Sequence, residues 1–285
     1  MSAQTHAQHI NILVTLNEAY LKHLNVMLFS LLRSNPDCTF TVYLLHTDMR
    51  EAATAETKRI LKSRGELVML EAGSLGLEEA PTTDRFPKEM YYRIFAAKYL
   101  PQTLDRVLYL DPDIVVNASV KELYSMPIDG YYFAAASHNG PVTRTFNGVR
   151  LHLERGCPYI NSGVLLINLA ILREEQSYGD VFSYIEKNRT RLFLPDQDVL
   201  SGLYGKRIKK LDTLRYNMTE RQYRYQRFRG KKIDLDWVRE NTVFIHYCGK
   251  NKPWKADYSG KLNCFYNEAL NALEREAPRE RVLTV

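Results

Sequence analysis

The chain reads as an α/β protein with parallel strands. Short apolar runs of strand length alternate with segments whose apolar residues recur at helical spacing, and one mid-chain run ends abruptly in two carboxylates. Residues 10–16 (INILVTL) are the first expected strand. Residues 21–32 follow as a helix, with Leu21, Leu24, Met27, Leu28, Leu31 and Leu32 on its apolar side, and Ser34-Asn35-Pro36-Asp37 breaks it. Residues 40–45 are a second strand, 51–63 a helix with a charged face that stops at Gly65, and 67–70 a third strand. Strand–helix–strand–helix–strand is the opening of a sheet with right-handed crossovers.

Residues 81–87 read as a loop and 90–100 as a helix closed by Pro101. Strands are expected at 107–110, 114–116, 133–136, 159–160, 164–167 and 242–246, and helices at 169–173, 178–188, from Pro195 onward, and at 261–276. There is no internal repeat and no linker-like stretch. Residues 1–257 are therefore expected to form one domain, with 258–285 a helical tail.

Composition narrows the function classes. At 285 residues, 45% hydrophobic and 25% charged, the chain is an ordinary globular protein. The first apolar stretch is too short for a signal peptide or a membrane span, and no later one reaches the length of a transmembrane helix, so the expected compartment is the cytosol. Three Asn-x-Ser/Thr patterns, at Asn117, Asn188 and Asn217, then carry no meaning. The cysteines Cys38, Cys157, Cys248 and Cys264 lack close pairing, which argues for free thiols over a zinc or disulfide framework. The first strand is not followed by Gly-x-Gly-x-x-Gly, and no P-loop is present, so a bound nucleotide has to be held by side chains and a metal.

The run Val107-Leu108-Tyr109-Leu110 ends in Asp111-Pro112-Asp113. In an extended segment residues two apart face the same side, so both carboxylates can converge on one hard cation. Asp-Pro-Asp is equally good turn chemistry, and the local pattern does not choose. Three other segments place polar residues at the ends of apolar runs. Asn161-Ser162-Gly163 precedes a strand, with Gly163 allowing close backbone approach; Pro195-Asp196-Gln197-Asp198 opens a helix, where either aspartate could serve merely as a cap; and His246 leaves a strand just before Gly249-Lys250-Asn251-Lys252. A lone strand-end histidine is usually structural. With a glycine and two lysines behind it, it can supply an imidazole for a metal and an ammonium for phosphate. Mn2+ accepts two carboxylates and an imidazole readily, Mg2+ less so, and such an ion offsets charge on a departing diphosphate.

These residues resemble glycosyltransferase family 8, the family of the bacterial lipopolysaccharide galactosyl- and glucosyltransferases and of glycogenin. The resemblance runs over residues 10–254 and rests on INILVTLNEAY, YYRIFAAKYLP, LYLDPDIVV, NSGVLLINL, LPDQDVLS and HYCGKNKPW. It implies a GT-A fold, a single Rossmann-like domain with a mixed central sheet and helices on both faces. It also implies a retaining transfer of glucose or galactose from UDP-glucose or UDP-galactose to a glycan or lipid-linked acceptor, assisted by Mn2+. By position, Asp111, Asp113 and His246 would bind the metal. Thr15, Asn17 and Tyr20 would surround the uridine, and Gly249 and Lys252 the diphosphate. Arg93, Asn161, Ser162, Asp196 and Gln197 would surround the sugar, with Gln197 near the anomeric carbon. Asp196 and Asp198 are the carboxylates available to a double displacement, whereas front-face transfer would use Gln197 to steady an oxocarbenium-like centre. Asn17 and Ala19 stand where relatives commonly carry aspartate and asparagine.

Three other readings compete. Asp111-Pro112-Asp113-Ile114-Val115 also fits the haloacid-dehalogenase phosphatase signature, although that motif belongs on the first strand of its core. A scaffold that binds nucleotide sugar without turnover is a second. A self-glucosylating primer is a third, the chain having 19 tyrosines. The net charge of +6 is concentrated between Lys206 and Lys232, where Tyr216, Tyr223, Tyr225 and Phe228 are interleaved. A solvated basic loop with inward aromatics is one explanation. Within the resemblance, peripheral contact with anionic lipid at the inner membrane face is another. No RNA-binding or DNA-binding signature favours nucleic acid.

Overall fold

The computed structural model describes residues 7–73, 88–137 and 141–276. Among the described residues nine strands occur in chain order: β1 (Gln8–Thr15), β2 (Cys38–His46), β3 (Gly65–Glu71), β4 (Arg106–Leu110), β5 (Ile114–Val116), β6 (Phe133–Ala136), β7 (Val164–Asn168), β8 (Ile208–Leu211) and β9 (Phe244–His246). Seven of them form one sheet in the order β3-β2-β1-β4-β7-β6-β8, and β5 pairs with β9 outside it. β1 is parallel to β2 and β4, and β2 to β3, as the alternating pattern predicts. β7 runs antiparallel to both β4 and β6, which makes the sheet mixed.

The strand order places the site. From β1 the chain steps outward through β2 to β3, then returns to β4 on the other side of β1. The reversal opens a crevice beyond the carboxyl ends of β1 and β4, where open α/β sheets bind their ligands. Thr15 ends β1, and Asp111 directly follows β4.

Alternate side chains enter opposite faces of the sheet. Ile10, Ile12 and Val14 pack with Leu24, Leu28 and Leu31 of the helix Leu21–Ser34. Leu13, Tyr109, Leu165 and Phe133 pack on the other side with Phe95 and Val199. A third cluster joins Val26, Val115, Ile245 and Tyr247 to Phe265 and Tyr266, so the helix Asn263–Glu276 packs onto the body of the fold.

Several expectations need correction. Residues 90–100 are not one helix: a 3-10 segment, Lys88–Phe95, leads into a short α-helix, Ala96–Tyr99. Residues 159–160 are buried but form no strand; Ile160 N–H is taken by Ser201 Oγ at 3.1 Å and Asn161 N–H by the Ala136 carbonyl at 2.8 Å. The 51–63 helix is α only over Ala55–Leu61. The loop expected at 81–87 lies outside the described residues. β8 and the helices Pro141–Arg150, Glu220–Phe228 and Leu235–Asn241 are additions to the sequence reading. The four cysteines are free, and among the described residues no helix is long and apolar enough to cross a membrane.

Candidate active site

Asp111-Pro112-Asp113 forms a turn between β4 and β5, not a continuous strand, and the turn still brings its carboxylates together. His246 reaches them because β9 pairs with β5 in a register that sets Ile114 opposite His246. One carboxylate oxygen of Asp111 and one of Asp113 lie within 4.8 Å of each other and of an imidazole nitrogen of His246.

Each carboxylate divides its two oxygens. Asp111 Oδ1 accepts from Tyr109 Oη at 2.6 Å and pairs with Arg93 Nη1 at 3.0 Å. Its Oδ2 lies 3.6 Å from His246 Nε2. Asp113 Oδ2 is ion-paired with Lys252 Nζ, and Oδ1 lies 3.2 Å from His246 Nε2. That Oδ1 is buried and has no hydrogen-bond donor. A buried carboxylate oxygen without a donor is costly unless a cation meets it. Two oxygens and an imidazole nitrogen are a donor set that Mn2+ accepts and Mg2+ tolerates. The residues present fit a divalent ion.

Burial opposes ionisation of Asp113, but Lys252 and His246 more than offset it and hold that carboxyl below the usual range. Burial likewise works against the Lys252 ammonium, and Asp113 outweighs it, so the lysine stays charged above its ordinary range.

Gly163 makes room for this cluster. It follows Asn161 and Ser162 into β7, and its carbonyl accepts the Asp111 N–H at 2.8 Å. On the far side, Ser162 Oγ donates to Asp196 Oδ2 at 2.7 Å, and Arg93 Nη1 reaches the Ser162 carbonyl at 3.0 Å and Asp196 Oδ2 at 3.2 Å. Burial pushes the Asp196 carboxyl above its usual range, with Arg93 and Ser162 opposing. Asn161 Nδ2 donates to Gln197 Oε1 at 3.2 Å. Gly249 adopts φ 94°, a left-handed conformation that favours glycine, just before Lys252 crosses toward Asp113.

The cleft has two connected parts. One, of about 150 Å3, is lined by Thr15, Asn17 and Tyr20 together with Arg93, Asp111, Asp113 and Lys252. The other, of about 310 Å3, shares those last four and Tyr20, and adds Asn161, Ser162, Asp196, Gln197, His246 and Gly249. Half-exposed Tyr20 stands edge-on to His23 and Trp254, which stack on each other with centroids 3.5 Å apart. Every sequence-nominated site residue except Asp198 lines this cleft.

Asp198 lies elsewhere. It is fully buried, and its oxygens accept from Arg150 Nη1 (2.8 Å), Arg150 Nη2 (2.7 Å), Tyr159 Oη (2.7 Å), and the N–H groups of Phe193 (2.6 Å) and Leu194 (3.0 Å). It ties down the start of the helix Pro195–Tyr204, which carries Asp196 and Gln197.

The sequence matches the family model of glycosyl transferase family 8 over residues 11–258. The chain belongs to glycosyltransferase family 8. It is 27% identical over 252 residues to the lipopolysaccharide 1,2-glucosyltransferase of Escherichia coli, covering 84% of this chain and 71% of that protein. It is 26% identical over 256 residues to the lipopolysaccharide 1,3-galactosyltransferase of Salmonella typhimurium, covering 87% and 74%. In fold it is similar to the galactosyltransferase LgtC, solved with donor and acceptor sugar analogs, with a TM-score of 0.80 at 23% identity over 92% of this chain and 96% of that one. The phosphatase reading is not favoured for a family 8 chain whose Asp111 follows the fourth strand.

Two residues at this family 8 site escaped the sequence reading. Tyr109 bridges Thr15 Oγ1 (3.2 Å) and Asp111, and its position two residues before Asp111 on a strand could have flagged it. Asn217, fully buried, touches His246 Nδ1 at 2.9 Å, and no local pattern announced it.

Proposed function

We propose that this chain is a retaining, metal-dependent hexosyltransferase that moves glucose or galactose from a UDP-sugar to a glycan or lipid-linked acceptor. One observation carries the reading: Asp111, Asp113 and His246 converge in the cleft that also holds Lys252 and Gln197. The lipopolysaccharide glucosyl- and galactosyltransferases among the relatives support the substrate class. Action at the inner face of the cytoplasmic membrane belongs to the same proposal.

In this reading Asp111, Asp113 and His246 hold Mn2+ or Mg2+, which when bound supplies Lewis-acid compensation for diphosphate charge. Lys252 adds a fixed ammonium beside the leaving group. Tyr20 presents an aromatic face for uracil. Arg93 fixes Asp111, Ser162 and Asp196 in one network, so the sugar meets preorganised groups. Gln197 is an amide and a poor nucleophile; Asn161 takes one lone pair of its Oε1, and the other is available to a cationic anomeric centre. Transfer proceeds on one face: the C1–O bond to phosphate breaks, the acceptor oxygen bonds C1 from the same side, and the acceptor proton passes to the departing phosphate oxygen. The products are UDP and a glycoside of unchanged anomeric configuration.

A donor screen tests this. UDP-glucose, UDP-galactose and UDP-N-acetylglucosamine are each incubated with and without Mn2+, with released UDP as readout. The expected result is metal-dependent UDP release from one of the two hexose donors; no release from either, with or without acceptor glycan, would leave only a binding scaffold. Proton NMR of the product reports the configuration, and intact mass after incubation with donor reports self-glycosylation.

A further inference from the structure

Asn217 sits one step behind the candidate metal site and lines neither part of the cleft. Its backbone is held by the strand that carries His246: Met218 N–H donates to the Phe244 carbonyl at 3.0 Å, and His246 N–H to the Met218 carbonyl at 2.8 Å. Its side chain is enclosed, with Nδ2 against Asn161 Oδ1 and Oδ1 against His246 Nδ1.

The amides here have only one consistent orientation, because the series begins at a backbone donor. Gly163 N–H can only donate, and it meets Asn161 Oδ1 at 3.1 Å. Asn161 therefore turns its NH2 to Gln197 Oε1 at 3.2 Å. Asn217 approaches the same Asn161 Oδ1 at 2.8 Å, so it must present its own NH2 there. Its carbonyl oxygen is left facing His246 Nδ1 at 2.9 Å, which requires the hydrogen on Nδ1. In a neutral imidazole Nε2 then carries a lone pair, and Nε2 is the nitrogen that faces Asp111 and Asp113.

We infer that Asn217 is a positioning residue that fixes His246 as the Nδ1–H tautomer, with Nε2 free to bind a divalent cation, and that through Asn161 the same amides fix Gln197. The metal arm and the sugar arm of the site thus share one buried amide. This rests on the metal reading proposed above.

Nitrogen-15 NMR of the metal-free wild-type protein reads the tautomer directly, at a pH high enough that the imidazole is neutral and the facing carboxylates no longer hold a second proton on it. Mn2+ binding without donor, followed by electron paramagnetic resonance, and steady-state kinetics are then compared in two variants. Asn217→Leu removes the acceptor for Nδ1–H and is expected to weaken Mn2+ binding about 10- to 100-fold. Asn217→Asp keeps that acceptor but places an oxygen against Asn161 Oδ1; it is expected to keep Mn2+ affinity within about threefold while losing about 10- to 100-fold in kcat, since only the Asn161–Gln197 arm is disturbed. An Nε2–H tautomer in the wild-type protein overturns the inference whether or not Asn217→Leu folds. Wild-type Mn2+ affinity in folded Asn217→Leu overturns it while leaving the metal reading intact. A wild-type protein that takes up no Mn2+ overturns both.

Discussion

A methyl group on Gly163 would lie 2.3 Å from His246 Cε1 and 2.6 Å from Asp111 Oδ2. Both distances are far inside van der Waals contact, so this position excludes every side chain on grounds of space, not of backbone conformation. Gly163→Ala must displace the imidazole or the carboxylate. The expected outcome is a folded protein whose kcat/KM falls about 100-fold, with Mn2+ affinity lowered in step. Ordinary Mn2+ binding and turnover in this variant would show that the close packing of the three groups is irrelevant to the reaction.

Asp111→Asn and Asp113→Asn should each lower kcat/KM by roughly a hundredfold or more, the size expected when a metal contributes several kcal/mol. They should differ in stability. Asp113 is the carboxylate partner of buried Lys252, and removing one member of a buried pair costs about 3–5 kcal/mol. Asp111 is more exposed and shares Arg93 with Asp196, so its loss leaves that guanidinium partnered. Thermal melts alongside kinetics check both halves; equal melting temperatures would contradict the assignment of Lys252.

Asp198 accepts five hydrogen bonds and is absent from the cleft lining, which casts it as the anchor of the helix bearing Asp196 and Gln197. Asp198→Asn should destabilise the fold by about 3–5 kcal/mol in denaturant melts. Peptide mapping of wild-type enzyme quenched during turnover should find no hexose on Asp198, and a covalent sugar there would defeat the front-face mechanism.

His23 gives a pH signature. Burial, with Lys22 and Lys252 adding to it, depresses its pKa from 6.5 to about 4. The unfolded chain therefore takes up a proton near 6.5 that the folded protein refuses until about 4. Stability present above pH 6.5 is lost as the pH falls toward 4. His23→Phe keeps an aromatic ring against Trp254 and removes the titration, so its melting temperature should decline less steeply over that interval than that of the wild type. Parallel slopes would assign the acid sensitivity to other groups.

The basic segment is not a loop but strand β8 and two short helices, Thr213–Tyr216 and Glu220–Phe228, in which Tyr216 and Tyr223 point inward and Phe228 is 91% exposed. Part of its charge is already paired, as in Arg215–Glu122 and Arg224–Glu220. Salt-sensitive binding to vesicles of anionic lipid, lost when Arg221, Arg224, Arg227 and Arg229 are neutralised, is the expected result for a peripheral contact. Binding that survives the neutralisation would move the contact elsewhere or dismiss it.

The parts of the fold visible in the sequence are those where burial dictates composition. β1, β2 and β4 are near-continuous apolar runs because both faces are covered, and they could be placed from pattern alone. β8 reads Ile-Lys-Lys-Leu because it lies at the sheet's edge, where Lys209 and Lys210 leave on opposite faces and reach the Pro127 and Gly156 carbonyls, and its strand character was hidden by charge. Tyr159 and Ile160 misled for the opposite reason: they are buried and apolar, but their neighbourhood is irregular, with Ser201 supplying the acceptor that a strand partner would have given. The carboxylates, His246 and Lys252 were nominated by their motifs. Asn217 was not, since its partners lie 29 and 56 positions away and nothing adjacent to it signals them.

The β5–β9 ladder has a consequence for when the catalyst comes into being. The ladder delivers His246 to a turn made more than a hundred positions earlier, and the lysine that faces Asp113 is translated later still. A ribosome-bound chain that has released β1 to β8 carries both acids of the cleft but neither the imidazole nor the lysine that face them. Under the proposed function chemistry then awaits the emergence of residues 244–252, so a stalled or prematurely terminated product is expected to be inert.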